Sequence, residues 1–412
     1  MSNVLKCRFC QDALMETLVD LGSMPLANSY LKHRDDMASE KSYPLHARVC
    51  GTCFLVQVED AVPAEEIFSD YAYFSSYSDS WVAHAKRYCE KLTDRLDLSE
   101  NSLVMEVASN DGYLLKHFVS RNIPVLGIEP AANVAKVAEA AGVKTDVAFF
   151  GADTANRLAN QGLKADLIAA NNVMAHVPDI NDFIEGFRII LAENGVFTIE
   201  FPHLLNLINK VQFDTIYHEH YSYLSLLTVE KILTAHGLKV FDVEELPTHG
   251  GSLRVYACHA GNDLYTTQDG LTSVRDKEQL AGLDDLAGYR DFTPKVEAVR
   301  SSLLEFLTSE KSKGSKVAAY GAAAKGNTLL NYCKIEAGLI DFVVDRNPEK
   351  QDTYLPGSHI PVFSPEKVWQ EKPDFLLILP WNLAEEISTD MAAIKDWGGR
   401  FAVPIPQLTF LK

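Results

Sequence analysis

The amino-acid sequence predicts an α/β protein of three units: a small cysteine-bearing module, a doubly wound parallel sheet, and a second Rossmann-like sheet. Three observations predict it. Two Cys-x-x-Cys pairs, Cys7/Cys10 and Cys50/Cys53, stand near the start. From Ser102, short apolar runs alternate with helical segments, and the alternation restarts at Lys316 after a charged helical stretch. A chain of 412 residues is also too long for one core. The expected boundaries are 1–70, 71–265 and 266–412.

The cysteine spacing lets each pair of thiolates take two vertices of a tetrahedral zinc ion. Four thiolates fill the coordination shell, so Cys7, Cys10, Cys50 and Cys53 point to a structural zinc rather than a catalytic one, which needs an open position. The stretch between the pairs carries Pro25, Asn28 and Pro44, and reads as an excursion that the metal ties back. MSNVLKCRFC has no apolar signal region, and no later run is long enough to span a bilayer, so a cytoplasmic location without membrane attachment is expected. Seven cysteines then read as thiols or metal ligands. The net charge of -18 disfavours a nucleic-acid partner, because it repels a phosphate backbone.

In the middle unit the runs LVMEVAS, VLGIEP, LIAANNV and GVFTIEF read as parallel strands. Ligands of such sheets sit at the carboxyl ends of the strands. The first strand-to-helix turn, Glu106-Val-Ala-Ser-Asn110-Asp111-Gly112, has one glycine where dinucleotide enzymes have three, which argues against a pyrophosphate cradle. Glu129 ends the second strand, where a carboxylate accepts hydrogen bonds from ribose hydroxyls or caps the next helix. Asn171 and Asn172 end the fourth, with side-chain amides suited to an amino-acid moiety or an adenine edge. These residues, in this order, resemble the class I S-adenosylmethionine-dependent methyltransferase core. A nicotinamide dehydrogenase is the main rival on the same fold.

Ahead of that sheet, Tyr71, Tyr73 and Tyr77 belong to an aromatic, hydroxyl-rich run that reads either as a packed linker or as a lid whose rings close over a sulfonium or a sugar. Behind it, Tyr217-His218-Glu219-His220-Tyr221 packs titratable groups together. In an extended chain Tyr217, Glu219 and Tyr221 share one face and the two histidines the other, so either face presents acid-base groups to a pocket. The histidines lack the i, i+4 spacing of helical zinc sites.

The last unit opens on Lys316-Val-Ala-Ala-Tyr320-Gly321 and AAAKGN, a strand, a glycine turn and a helix. LIDFVVD, DFLLILP and RFAVPI supply further strands, and the stretch from about 276 to 313 supplies a helical connector. A glycine turn before a helix invites an anion. Lys325, Arg346, Lys350, Tyr320 and, from HGGSLR, Arg254 are the candidates to hold a nucleoside diphosphate; the alternative is a sheet that only buttresses its neighbour.

Taken together, the paired cysteines, YFSSYS, EVASNDG, GIEP, NNVMAHVPD, IEFPH, YHEHYSYLS, HGGSLRV and YGAAAKGNTLLN resemble the sugar C-methyltransferases that build branched deoxysugars, along essentially the whole chain. The resemblance implies S-adenosylmethionine as methyl donor and C3 of a nucleoside-diphosphate 4-keto sugar, with dTDP as the expected nucleotide, as acceptor. It implies His220 as the base that removes the C3 proton, Glu219 to orient or share that proton, Tyr217 and Tyr77 near the sugar, and His176 facing the reacting centre. A tyrosine hydroxyl or a neutral imidazole would serve the enolate oxygen. The competing readings are an N- or O-methyltransferase of a small metabolite and a non-catalytic binder of S-adenosylmethionine or a sugar nucleotide.

Overall fold

The computed structural model describes residues 5–63 and 74–411, so Tyr71 and Tyr73 lie outside the described residues. Three sheets follow one another, as the alternation of runs predicts. The first is antiparallel and built from β1 (Glu16–Met24), β2 (Tyr43–Val49) and β3 (Val56–Gln57). β2 is two-period, with Leu45, Ala47 and Val49 buried at alternate positions, whereas register shifts along β1 put Leu18 and Val19 side by side in the core.

The central sheet contains β4 (Val104–Val107), β5 (Val125–Ile128), β6 (Thr145–Asp146), β7 (Ala165–Asn171) and β8 (Leu191–Pro202). The next strand, β9 (Ser222–Tyr223), leaves this sheet and pairs with β3 as the fourth strand of the first one. β10 (Leu238–Leu246) and β11 (Ser252–His259) then complete the central order β10-β11-β8-β7-β4-β5-β6. β11 runs antiparallel to both neighbours, and β8 to β6 are mutually parallel. β4 is buried at every position, as a strand covered by helices on both faces requires. The chain leaves β4 in one direction to β5 and returns on its other side as β7, so the crevice opens at the carboxyl ends of β4 and β7.

The expected single connector is two helices, Asp269–Leu280 and Phe292–Ser312. Gly282 breaks it with a φ of 74°, and a Cβ on Gly288 would lie 2.3 Å from the Gly282 carbonyl oxygen, so only glycine allows the turn. The second helix buries Phe292, Val296, Val299, Leu303 and Leu307, one stripe at helical spacing. The third sheet takes the order β14-β13-β12-β15-β16-β17, from β12 (Val317–Tyr320), β13 (Phe342–Val344), β14 (Val362–Phe363), β15 (Phe375–Ile378), β16 (Arg400–Val403) and an antiparallel β17 (Thr409–Leu411). Its own switch point lies at the ends of β12 and β15.

The first module is wedged between the other two units. Leu18, Ala47 and Val56 share a buried cluster with Val296 and Leu329, whereas Leu14 and Leu55 share another with Leu226 and Val229. Among the described residues, no helix is long and apolar enough to cross a membrane.

Candidate active site

Cys7, Cys10, Cys50 and Cys53 bring their four Sγ atoms within 4.8 Å of one another. The Cys7–Cys53 and Cys10–Cys50 pairs are 3.5 and 3.4 Å apart. A tetrahedral zinc with bonds of about 2.3 Å spaces its sulfurs about 3.8 Å apart, so the donor set fits that ion. Both knuckles close alike: Gln11 and Phe54 each donate a backbone N–H to the carbonyl of the first cysteine of their pair, at 3.0 Å, and both are left-handed, with φ of 65° and 66°. Gln57 Nε2 donates to Cys7 Sγ at 3.2 Å. Thr228, on the central unit's helix Leu226–Ala235, donates to the Cys53 carbonyl. Zinc held here fixes two turns against the central unit.

At the ends of β4 and β7 the turn after Glu106 is bent through left-handed residues at Ala108, Asn110 and Gly112, with φ of 55°, 49° and 77°. A side chain at Gly112 would collide with Val143, 3.0 Å from the place of its Cβ. Glu129 accepts the Asn110 N–H at 3.0 Å with one oxygen and the Ala131 N–H at 2.9 Å with the other, so it ties the first turn to the start of the next helix. Asn110 Oδ1 and Asp111 Oδ2 accept the backbone N–H groups of Ser75 and Ser76, at 2.8 and 3.0 Å. That contact seats the end of the aromatic run on the turn, but the Tyr77 side chain points away, 83% exposed.

Among the described residues, Ser109 Oγ, Asp111 Oδ1 and Asn172 Oδ1 are buried in this crevice without a hydrogen-bond partner. A buried polar atom left alone costs about 1–3 kcal/mol, so the cluster is suited to a polar ligand. Burial pushes the Glu106 carboxyl well above its usual range, against the opposing effect of Tyr113. Trp81 forms an aromatic wall with His84, Tyr113 and His249, at centroid distances of 4.9, 6.0 and 5.4 Å. This wall was not read from the sequence, although Trp81 follows directly on the aromatic run. His249 is left-handed, with φ 52°, as is Asn172, with φ 54°, and the Asn172 amide donates to His249 Nε2 at 3.3 Å.

The histidine segment departs from the extended-chain expectation. The His220 N–H closes a turn on the Tyr217 carbonyl at 2.9 Å, which puts residues three apart on the same side. Tyr217 Oη therefore meets His220 Nε2 at 2.9 Å. His220 Nδ1 lies 3.0 Å from the Thr215 carbonyl, an acceptor only, so Nδ1 carries the proton and Nε2 the lone pair. His176 is held the same way by the Glu219 carbonyl at 2.7 Å, its ring 4.6 Å from that of His220. Burial drives both imidazoles toward neutrality, His176 to about 4 and His220 well below the ordinary range; the neighbouring His176, His249 and Lys325 also lower His220. The Glu219 side chain is engaged away from the His220 Nε2 contact. Its carboxylate accepts Asn28 Nδ2 at 2.8 and 2.9 Å, across to the first module.

The third unit meets this cluster along the ends of β12 and β15. Trp381 Nε1 donates to Asp214 Oδ2 at 2.7 Å, and burial pushes that carboxyl up to about 7. A Cβ on Gly250, beside His249, would lie 2.4 Å from Trp381, so glycine permits the close approach. Lys325 Nζ lies 2.6 Å from Asn382 Oδ1 and 4.6 Å from the Trp381 ring centroid. Lys350 Nζ donates to the Ala322 carbonyl at 2.7 Å, 5.3 Å from the Tyr30 ring. Tyr320 is buried at the end of β12. Two of the expected anion ligands are engaged elsewhere. Arg254 is buried on β11, 2.7 Å from Glu200, because the strand that carries it is the reversed strand of the central sheet. Arg346 pairs on the surface with Asp390 and with Glu386.

Comparison with known proteins adds the following. Residues 247–406 match the family described as C-methyltransferase C-terminal domain, 81–243 a methyltransferase domain, and 7–68 a zinc binding domain. The chain is 36% identical over 402 residues to C-methyltransferase NovU of Streptomyces niveus, covering 98% of this chain and 96% of that protein. Among solved structures, an S-adenosylmethionine-dependent methyltransferase from Clostridium acetobutylicum is 14% identical, covers 43% of this chain and 91% of its own, and has a TM-score of 0.35. Magnesium protoporphyrin IX methyltransferase from Synechocystis, with bound S-adenosylmethionine, is 15% identical, with coverages of 47% and 88% and a TM-score of 0.33.

Proposed function

The chain belongs to the C-methyltransferase family of NovU, and from that premise we propose that its methyl acceptor is C3 of a nucleoside-diphosphate 4-keto-deoxysugar, with thymidine as the nucleoside. S-adenosylmethionine is the donor, and when bound it supplies an electrophilic methyl group on a positively charged sulfur. The supporting observation is His220, an imidazole that burial drives toward neutrality and whose Nε2 lone pair meets the Tyr217 hydroxyl, at the seam between two α/β units.

His220 Nε2 takes the C3 proton, and the electron pair of that C–H bond moves into the ring as an enolate. Tyr217 holds the imidazole until substrate displaces its hydroxyl from Nε2. The Thr215 carbonyl then faces an imidazolium that it stabilises through Nδ1–H. The bound donor would supply the methyl group that C3 accepts, the C4 ketone would re-form, and His220 would return its proton to water. Trp81, Tyr113 and His249 line the side on which a sulfonium gains from aromatic faces. Glu129, Glu106, Asn110, Asp111, Gly112, Asn171 and Asn172 are the donor-binding set, with Tyr73 from the aromatic run, and Tyr320, Lys325 and Lys350 carry the sugar-nucleotide side. Domain limits of 1–70, 71–265 and 266–412 go with this division. None of the seven cysteines is in a disulfide, four being the zinc ligands and three thiols, which supports a cytoplasmic location.

The test is methyl transfer from labelled S-adenosylmethionine to a dTDP-4-keto-deoxysugar, with wild type and His220→Asn. Removing a general base should slow the reaction about 100- to 10,000-fold while donor binding, read by calorimetry, persists. Turnover within tenfold of wild type in the variant would remove His220 from the mechanism.

A further inference from the structure

Enolisation leaves one charge unassigned. A neutral imidazole that removes a carbon-bound proton creates an imidazolium and an oxyanion, and the oxyanion forms on C4, away from the base. Tyr217 is turned toward His220, and His176 and His249 are neutral, so none of them brings a positive charge.

Lys325 does. It stands in the first turn of the helix Ala324–Cys333, at the strand-end edge of the third sheet. Its Nζ is fixed by Asn382 Oδ1 at 2.6 Å and by the Trp381 ring at 4.6 Å. The same indole donates to Asp214, the residue before the Thr215 carbonyl that holds His220 Nδ1. One short chain of contacts therefore sets the ammonium relative to the base. Its charge reaches both His220 and His249 across the seam. A buried carboxylate, Asp214, sits within reach of that charge. One ammonium fixed in place suits a single developing negative charge, the kind an enolate oxygen carries.

We propose that Lys325 is a catalytic residue whose ammonium meets the C4 oxygen of the ketose and stabilises the enolate, with Asp214, Trp381 and Asn382 as its positioning residues. The inference rests on the enolate reading above. The proton taken from C3 goes to His220, Lys325 keeps its own, and the oxygen pair re-forms the C4 carbonyl when C3 takes up the methyl group, so that the enolate charge is cancelled by that of the sulfonium. Such preorganised electrostatic stabilisation contributes about 100- to 1,000-fold in rate when one donor is removed.

The experiment follows deuterium from solvent into C3 of a dTDP-4-keto-deoxysugar, with S-adenosylhomocysteine in place of the donor, alongside methyl transfer and thymidine diphosphate binding. In Lys325→Gln, exchange and kcat should fall together by about 100- to 1,000-fold, with the Kd for thymidine diphosphate within about threefold of wild type, and Lys325→Arg should recover part of the rate. A Kd raised tenfold or more with exchange from the saturated enzyme unchanged overturns the proposal and makes Lys325 a phosphate anchor. Should Lys325→Gln melt below the assay temperature, Asn382→Ala replaces it: slower exchange with intact thymidine diphosphate binding is expected, and unchanged exchange overturns the assignment. Wild-type protein that washes in no deuterium sinks the enolate reading itself, and this inference with it, whereas exchange that persists in Lys325→Gln sinks the role of Lys325 alone.

Discussion

Glu278 offers a direct measure of how firmly the units are joined. It lies on the connector helix Asp269–Leu280, fully buried. Its carboxylate accepts His203 Nε2 at 2.7 Å, the Leu226 N–H at 2.7 Å and the Leu227 N–H at 2.9 Å. It thus caps, from far along the chain, the helix whose Thr228 grips the zinc knuckle. Replacement by alanine strands the two backbone donors, each at about 1–3 kcal/mol, while removing the cost of burying a carboxylate. The net expectation is about 3 kcal/mol, a large part of the 5–15 kcal/mol that holds a typical domain. Urea unfolding should show this loss for Glu278→Ala and roughly half of it for Glu278→Gln, which keeps one accepting oxygen. Amide exchange over 226–235 should accelerate in step. A loss below about 1 kcal/mol in the alanine variant would refute the idea that this carboxylate is the cap.

Three further outcomes are expected. Because burial keeps His220 and His176 neutral, kcat/KM should stay flat as pH falls through the usual imidazole range near 6.5 and decline only on stronger acidification. The folded protein takes up fewer protons than the unfolded chain in that window, so the stability due to His176 is complete above 6.5 and is lost as pH drops toward about 4, which melting curves against pH would register. Metal analysis should find one zinc per chain. Cys53→Ser should release it and, through the loosened Asn28–Glu219 contact, reduce methyl transfer more than donor affinity. Glu129→Gln can no longer accept with both oxygens, and titration calorimetry should show S-adenosylmethionine bound about 10- to 100-fold more weakly.

The cysteine knuckles and the strands β4, β5, β7, β8, β12, β13, β15 and β16 were legible in the sequence because each rests on local spacing or on a run of buried residues. The geometry of the histidine segment was not legible. Its turn is set by the Thr215 and Tyr217 carbonyls, and the destination of Glu219 is set by Asn28, 191 residues away. Asp214 gave no signal, since its partners are an indole and an ammonium from another unit. Arg254 misled for a related reason. The Arg254 of HGGSLR reads as a candidate to reach an anion, and only the pairing of β11 between β8 and β10 reveals that the arginine is enclosed beside Glu200.

The two residues of β9 belong by sequence to the segment that bears His220 and by hydrogen bonding to the sheet that bears the cysteines. Anyone recombining relatives of this chain at the apparent unit borders would cut that shared ladder. A working hybrid should inherit the 5–63 and 213–225 pieces from one parent, so that the shared ladder stays whole.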